Sequence, residues 1–481
     1  MKKLLLPFLM TFLSFAVFGQ MVKLVPPSNA QGTRIKFGSA IALSGDILAV
    51  GTPDEDINGD DNLGSVYVYT RSGGNWTQTA KLTSPSNDQF KQFGAGVATD
   101  GDYIAVGSFD GLTGGHVYIF TKNGSNWNQT AKLQPSPASP AFGSAIAFLG
   151  DMVLVGARGD RSGEGSIFVY TRNGSNWTFV KRIANPSPIS SGFFGGVISV
   201  YGNKFITSGT GNANQGRAYI YNWNGSDFDL EATLVSNDIA ASDQFGSGVS
   251  MNANEAAVGA FWDDDKGNES GSVYMFKRNG SNWVQSQKIV ASNGNANDNF
   301  GGAVALVNDK LIVTSSTDSE FASFGGSAYE FTYSNGSWNE DSNFSSTDAN
   351  QNEGFGRVVA SSGKTVAFAA SGDDQRGTFA GAVFLLDLDA ASTSEKIALA
   401  NSVQVFPNPV VDILNVNLNS LKDFNSNDEL NYRIVDTTGK IVLKGRLTSN
   451  FNQVNVSTIP GGNYILEMDW NGITFGKQFL K

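Results

Sequence analysis

The chain has 481 residues, 56 of them glycine, and a net charge of −11. It contains no cysteine and one histidine, which excludes disulfides and thiolate metal sites and disfavours histidine-based triads and zinc sites. The excess of acids lies in residues 21–400 and disfavours binding to nucleic acid or to anionic membranes. Abundant glycine and aromatic residues indicate short strands and tight turns, so the predicted class is all-β.

Residues 1–19 are predicted to be a signal peptide. Lys2 and Lys3 precede an apolar stretch that ends at Val17, Phe18 and Gly19. A transmembrane anchor needs about 20 apolar residues, and this stretch is shorter. No other segment is apolar enough over such a length, so no transmembrane segment is expected.

A Phe-Gly dipeptide recurs seven times, at intervals of 49 to 56 residues, a period typical of β-propellers. The phenylalanines are Phe37, Phe93, Phe142, Phe194, Phe245, Phe300 and Phe355. A turn always follows seven to nine residues later, as in Ser44-Gly45-Asp46. This constant length predicts two paired antiparallel strands, because one inserted residue would reverse the side chains of a strand.

Two further strands complete each predicted blade. A glycine and an alternating aromatic segment, such as Val66 to Tyr69, form the third strand, and an Asn-Gly turn leads to a fourth strand that carries a large aromatic ring. We expect these rings, among them Trp76 and Trp127, to pack between blades. The single histidine, His116, begins a third strand and is predicted to be a surface residue.

The seventh repeat lacks a fourth strand at its C-terminal end. Val22-Lys23-Leu24 near the N-terminus resembles Ala80-Lys81-Leu82 and stands before Phe37 as that segment stands before Phe93. The N-terminal strand is therefore predicted to close blade 7, which hides the sheet edges. The predicted fold is a seven-bladed β-propeller over residues 20–390, followed by a small Ig-like β-sandwich.

With Phe-Gly at the start of one strand and Ala-Val-Gly or Val-Gly-Ala at the end of the next, the repeats resemble the FG-GAP family. Ala49 to Gly51 and Val155 to Ala157 are examples. The resemblance implies the propeller of integrin α-subunits, which bind proteins. Integrin members hold calcium between the first two strands of a blade. That connection is only a short turn here, so those family sites are predicted to be absent.

Acids stand instead in the loops that follow the second strands, at Asp54, Asp110, Asp160, Asp263, Asp318 and Asp373. The fourth blade has Gly211-Asn212 there and lacks one. These loops are expected on one face, so Asp110, Asp160, Asp318 and Asp373 are candidates for a binding face. Two groups are candidate calcium sites, and the first has the spacing of a calcium loop but Ser65 in place of the final bidentate glutamate. They are Asp54, Asp56, Asn58 and Asp60, and then Asp263, Asp264 and Asp265. Solvated loops without an ion are the alternative.

Residues 391–402 are a predicted linker, and residues 403–481 form a separate module. Its markers include Val405-Phe406-Pro407-Asn408-Pro409, Thr438-Gly439-Lys440 and Pro460-Gly461-Gly462-Asn463-Tyr464. The module resembles the type A C-terminal sorting domain of the type IX secretion system of Bacteroidetes. The resemblance implies recognition by outer-membrane secretion machinery and a location outside the cell or attached to the outer-membrane surface.

The sequence contains no nucleophile elbow, histidine-based zinc motif or phosphate-binding loop, so we expect no enzyme activity. The predicted function is a noncatalytic secreted or surface protein that binds an extracellular protein or glycan through one propeller face. Calcium is the one cofactor that the sequence suggests. Two alternatives stay open: an extracellular polysaccharide hydrolase or lyase that uses two carboxylates, and a structural surface-layer component.

Overall fold

The computed structural model describes residues 21–32, 34–57, 59, 61–85, 92–109, 114–174, 176–188, 191–209, 216–238, 240, 242–388, 399, 402–421, 424, 430–436, 440–470 and 473–481. The predicted signal peptide and most of the predicted linker lie outside these residues. The chain forms two compact units, whose described parts begin at Met21 and at Leu386. Among the described residues, no helix is both long and apolar enough to cross a bilayer.

Within its described residues, the first unit contains seven four-stranded antiparallel sheets, numbered here in chain order. Sheet 1 contains β2 (Ala40–Ser44), β3 (Ile47–Thr52), β4 (Ser65–Ser72) and β5 (Asn75–Thr83). Sheet 2 contains β6 (Gly96–Thr99), β7 (Tyr103–Phe109), β8 (Gly115–Asn123) and β9 (Asn126–Leu133). Sheet 3 contains β10 (Phe142–Leu149), β11 (Met152–Ala157), β12 (Ser166–Asn173) and β13 (Asn176–Ala184), with the helical turn α1 (Asp160–Gly163) between β11 and β12.

Sheets 4 to 7 repeat this order. Sheet 4 contains β14 (Ile198–Tyr201), β15 (Lys204–Gly209), β16 (Arg217–Trp223) and β17 (Phe228–Leu234). Sheet 5 contains β18 (Phe245–Met251), β19 (Glu255–Ala260), β20 (Ser272–Asn279) and β21 (Asn282–Ile289). Sheet 6 contains β22 (Ala303–Val307), β23 (Lys310–Ser315), β24 (Ser327–Ser334) and β25 (Ser337–Phe344). Sheet 7 contains β26 (Phe355–Ser362), β27 (Thr365–Ala370), β28 (Ala382–Asp387) and the N-terminal β1 (Val22–Leu24).

The first strands of the seven sheets form a ring. Each contacts the first strand of the next sheet, and β26 of sheet 7 contacts β2 of sheet 1. Together they line a central cavity of about 490 Å³. Sheets arranged around a central channel define a β-propeller, which confirms the predicted all-β class and architecture.

The last sheet combines the two ends of the first unit. In it, β1 pairs with β28 in an antiparallel register that places Val22 opposite Leu385 and Lys23 opposite Phe384. The outermost strand of sheet 7 therefore comes from the N-terminal end of the unit. This pairing covers the edge of β28 that would otherwise be open to another strand.

The hydrophobic core lies between adjacent sheets. The phenylalanine of each Phe-Gly dipeptide is buried and contacts aromatic rings of the third strand of its own sheet, as Phe93 does with Tyr118 and Phe120. Apolar residues of the preceding sheet complete each cluster, and Trp127 packs against the one between sheets 1 and 2. The outer-strand rings thus pack in the interfaces between sheets.

A glycine before the third strand lets adjacent sheets approach closely. Gly271 has a φ of +85°, and a Cβ atom placed there would lie 2.1 Å from the carbonyl oxygen of Phe300 in the next sheet. The backbone N–H of Phe300 donates to the carbonyl of Ser270 at 2.9 Å, so the contact joins two sheets through their backbones. Only glycine accommodates both this φ and this distance.

The expectation that His116 lies on the surface is wrong. His116 is 4% exposed, in β8, and its ring meets that of Tyr118 at a centroid distance of 6.1 Å. The equivalent residues Ser65, Ser166, Ser272 and Ser327 are also buried, whereas Arg217 of sheet 4 is exposed.

The described residues of the second unit form two packed sheets around one core. One sheet has the order β29-β30-β33 and the other β32-β31-β34-β35. Its strands are β29 (Gln404–Phe406), β30 (Ile413–Asn417), β31 (Leu430–Asp436), β32 (Ile441–Leu447), β33 (Phe451–Asn455), β34 (Asn463–Trp470) and β35 (Ile473–Leu480). Leu414 and Leu466, one from each sheet, are fully buried in the shared core, which makes this unit a small β-sandwich.

Candidate functional site on the loop face

The acids that follow the second strands are mostly buried. Asp160, Asp263, Asp318 and Asp373 are 8%, 3%, 2% and 1% exposed. In sheet 1 the fully buried acid is Glu55, next to the predicted Asp54. Asp110 lies outside the described residues. An ionised carboxylate is buried at a large cost unless it is paired, so the partners of these acids decide their role.

Sheet 5 shows the pairing most fully. The Lys288 ammonium lies 2.9 Å from Asp263, 2.6 Å from Asp265 and 2.9 Å from Asp238. The Tyr274 hydroxyl donates to Asp263 at 2.8 Å, and the Lys288 ammonium lies over the Tyr274 ring. Burial alone would lower the pKa of Lys288, but its bonds to the surrounding acids raise it above the usual value. We call this arrangement of acid, aromatic ring and base the blade lock.

The blade lock recurs because its three positions have fixed places in the repeat. In sheet 1 the buried Glu55 accepts from the Tyr67 hydroxyl at 2.9 Å and from the Lys81 ammonium at 2.8 Å. Where the base is present, it stands opposite the aromatic residue in the register of the third and fourth strands, as Lys81 does opposite Tyr67. In this pairing the buried carboxylate is bonded to groups of its own sheet.

Sheets 3 and 7 hold variants of the same lock. Asp160 accepts from Ser139 and Ser166 at 2.7 and 2.6 Å, and Arg182 lies 3.4 Å away. In sheet 7 the acid Asp373 lies 2.6 Å from the ammonium of Lys23. Two of the residues predicted for a binding face are therefore held by bases of their own sheets.

The sequence also indicates this lock, but only when the acid position and the base position of each repeat are compared. In sheet 4, where the acid position has Asn212, the base position has Thr233 opposite Tyr219. Acid and base are thus lost together in that repeat. Two oppositely charged positions that disappear together indicate a pair within the fold, rather than a row of free ligands.

Sheet 6 departs from the pattern because it keeps the acid and loses the base. Asn343 stands opposite Tyr329, where sheet 5 has Lys288. Asp318 accepts from the Tyr329 hydroxyl at 2.6 Å and from the backbone N–H of Glu320 at 2.8 Å. Within the described part of the chain, Asp318 has no ion pair.

A pocket of about 430 Å³ opens beside this incomplete lock, and we call it the sheet 6 pocket. It is lined by Asn293, Asn295, Ala296, Asn297, Asp298, Thr317, Asp318, Ser319, Glu320 and Phe324. Burial, and then the nearby charge of Asp318, raises the pKa of both Asp298 and Glu320. Phe324 is 49% exposed. The pocket combines acids, amides and an aromatic ring without a basic side chain.

The candidate calcium ligands belong to the loops that follow the second strands of sheets 1 and 5. Asp54 lies 2.6 Å from the Lys36 ammonium, and Asp56 accepts from the backbone N–H of Asn62 at 2.9 Å. Asn58 and Asp60 lie outside the described residues. Asp263 and Asp265 converge on Lys288, whereas Asp264 accepts from the backbone N–H of Glu269 at 2.8 Å. Calcium binding by either loop stays a prediction, and Lys36 and Lys288 already supply positive charge there.

FG-GAP repeats match six segments of the chain, which together cover more than half of it. They are residues 18–69, 76–120, 127–170, 228–276, 283–331 and 338–386. The chain belongs to the FG-GAP repeat family. In this FG-GAP protein the longest stretch between matched segments, residues 171–227, contains most of sheet 4, whose lock lacks both charges.

Residues 404–481 match the secretion system C-terminal sorting domain. The FG-GAP protein is therefore delivered by the type IX secretion system to the cell surface or the extracellular space, and its β-sandwich is the part that the secretion machinery recognises. Phe406 and Phe451, on two strands of that sandwich, are 41% and 49% exposed with ring centroids 5.9 Å apart.

Three solved structures are similar to the FG-GAP protein at low identity. PorZ, a surface component of the type IX secretion system of Porphyromonas gingivalis, has a TM-score of 0.48 and 14% identity over 95% of this chain. This chain spans 60% of the length of PorZ. Sqt1 of Saccharomyces cerevisiae has a TM-score of 0.44 and 11% identity over 75% of this chain and 99% of its own. PpgL, a periplasmic gluconolactonase of Pseudomonas aeruginosa, has a TM-score of 0.45 and 11% identity over 65% and 87%. No curated protein matches the sequence.

Proposed function

We propose that this secreted FG-GAP protein is a noncatalytic binding protein that holds an extracellular glycan at the sheet 6 pocket. The observation that carries the proposal is the unmatched acid in sheet 6, where Asn343 replaces the base of the blade lock. The carboxylates of Asp298 and Glu320 line the pocket without an ion-pair partner among the described residues, and the amides of three asparagines lie beside them.

The chemistry of the pocket suits sugar hydroxyl groups. Carboxylates accept two or more hydrogen bonds each, and side-chain amides both donate and accept. The exposed ring of Phe324 offers an apolar surface beside these polar groups. A volume of about 430 Å³ lies within the range of small-ligand sites and is large enough for one or two sugar units of a longer chain.

The proposal predicts that Phe324→Ala weakens glycan binding by about tenfold or more, because aromatic side chains at the centre of a site often contribute over 1 kcal/mol. The experiment is a glycan array screen of the whole protein, followed by calorimetric titration of the best glycan. Glu320→Gln tests the carboxylate in the same titration.

Phe379→Ala is the matched control. Phe379 occupies the corresponding position in sheet 7, and both residues have a φ of 52°. Equal loss of binding in both variants would contradict a site in the sheet 6 pocket. If the protein bound extracellular proteins in a panel but no glycan, the proposed ligand would be a protein rather than a glycan. No binding above that of an unrelated acidic protein would overturn the binding function and favour a structural surface-layer role.

A second candidate function follows from the same pocket. Polysaccharide hydrolases use one carboxyl group with a raised pKa beside a second carboxylate, and Asp298 and Glu320 both line the pocket with raised pKa values. Turnover of any polysaccharide in a panel assay, lost in Asp298→Asn and Glu320→Gln, would establish this activity. Binding without turnover would support the noncatalytic function.

A further inference from the structure

The junction between β1 and sheet 7 contains an unbalanced group of buried charges. The strand β1 is only three residues long, and its central side chain, Lys23, reaches into the loop face. The Lys23 ammonium lies 2.7 Å from Asp348 and 2.6 Å from Asp373. The carboxylate of Asp373 is fully buried, whereas that of Asp348 is 44% exposed. One cationic group therefore bridges two carboxylates that lie 25 residues apart.

A third carboxylate, that of Glu353, belongs to the same group. One carboxylate oxygen from each of Asp348, Glu353 and Asp373 lies within 4.8 Å of the others. Glu353 is fully buried, and its Oε2 accepts from the Ser346 hydroxyl and the backbone N–H of Asn350, both at 2.9 Å. Its Oε1 is also buried and has no hydrogen-bond donor. A buried carboxylate oxygen without a donor is unfavourable unless a cation or a proton reaches it.

The balance of charge distinguishes this group from the blade lock of sheet 1. There, Glu55 meets the Lys81 ammonium and hydroxyl donors, so one carboxylate faces one base. At the junction Lys23 pairs with two carboxylates, as Lys288 of sheet 5 pairs with three, and the junction adds the fully buried Glu353, one of whose oxygens has no donor. A cation with two charges would match three carboxylates better than one ammonium does.

The geometry fits one ion. Calcium takes oxygen ligands at about 2.3–2.6 Å, so two ligands on opposite sides of the ion lie about 5 Å apart. Carboxylate oxygens that all lie within 4.8 Å of one another can therefore reach a single ion. The Lys23 ammonium already occupies a point between two of these acids at hydrogen-bond distance, which marks the position that a cation takes.

We propose that Asp348, Glu353 and Asp373 bind a divalent cation, with Ca²⁺ as the probe, in place of the Lys23 ammonium at the junction of β1 with sheet 7. The ion joins the loop between sheets 6 and 7, which carries Asp348 and Glu353, to the loop between β27 and β28, which carries Asp373. The site is separate from the loops of Asp54 and Asp263, where the acids face Lys36 and Lys288.

The test compares the chelator-treated full chain with and without millimolar Ca²⁺, by calorimetric titration and by melting temperature. We expect Ca²⁺ to bind the wild type and to raise its melting temperature. Glu353→Gln keeps the shape of the side chain, and we expect it to weaken Ca²⁺ binding at least tenfold. Lys23→Met removes the competing ammonium, and we expect it to strengthen Ca²⁺ binding several-fold.

The double variant Asp54→Asn with Asp56→Asn is the control, because it alters the other candidate loop and leaves the junction intact. It is expected to bind Ca²⁺ as the wild type does. The absence of both binding heat and a melting shift in the wild type and in Lys23→Met would overturn the proposal. So would a Ca²⁺ response that persists in Glu353→Gln or disappears in the double variant. Circular dichroism separates lost binding from lost folding. A variant that keeps the wild-type spectrum but gives no titration heat has lost binding alone.

Discussion

Replacing Glu55 with alanine is expected to lower the free energy of unfolding by about 3–5 kcal/mol, the usual cost of removing one partner of a buried ion pair. Glu55 is fully buried, and its carboxylate accepts from Tyr67 and Lys81 at 2.9 and 2.8 Å. The substitution leaves the Lys81 ammonium and the Tyr67 hydroxyl without their acceptor and opens a cavity. Urea unfolding of the full chain, followed by tryptophan fluorescence, measures the loss.

Asp46→Ala is the matched control for Glu55. Asp46 also pairs with a base, since its carboxylate lies 2.8 Å from Arg71, but its side chain is 62% exposed. Exposed ion pairs contribute less than about 1 kcal/mol, so this variant should unfold at nearly the wild-type urea concentration. Equal losses in the two variants would show that the blade lock is no more important than a surface pair.

Gly271→Ala is expected to destabilise the propeller by about 3 kcal/mol or more. Part of this cost, about 1–2 kcal/mol, comes from placing a Cβ atom at a left-handed φ. The remainder is steric, because that Cβ atom would lie 2.1 Å from the carbonyl oxygen of Phe300, and crowding of a packed interior adds about 1–3 kcal/mol. The expected result is a clear fall in both the melting temperature and the urea midpoint.

Gly280→Ala separates the two contributions. Gly280 has a φ of +64°, and a Cβ atom placed there would meet no atom within 4 Å. This variant therefore reports the conformational cost alone. If Gly271→Ala were no more harmful than Gly280→Ala, the close contact between sheets 5 and 6 would not limit the choice of residue at position 271.

Short-range sequence patterns predict much of the fold. The constant distance between each Phe-Gly dipeptide and its following turn fixes a paired register, and the structure pairs Ala40 to Ser44 with Ile47 to Gly51 around such a turn. The likeness of Val22-Lys23-Leu24 to a fourth strand was visible without coordinates, and β1 pairs with β28. Strand pairing across a short turn depends on neighbouring residues, and the closing strand repeats the local pattern of a fourth strand, so a single sequence is enough to predict both.

Burial was harder to predict. His116 looks like a surface residue at a strand start, yet the adjacent sheet covers it. The acids of the loop face look like free ligands, yet Asp263 meets Lys288, and Asp373 meets Lys23 across 350 positions of the chain. Whether a side chain is covered depends on the sheet beside it, and the sequence of one repeat does not contain that neighbour.

The sequence by itself determined the repeat, the strand order within each sheet, the sorting domain and the export route, because each is encoded in local residue patterns. Only the tertiary structure decided which acids are paired with a base and which are free to bind a ligand or an ion. Sheet packing brings Glu55, Asp160 and Asp263 to bases on the fourth strands and leaves Asp318 of sheet 6 without one. Ring closure places Lys23 among three carboxylates. A buried carboxylate that is paired with a base is not free for a ligand unless the base is displaced, so we propose binding where an acid lacks a base or where one ammonium faces several carboxylates.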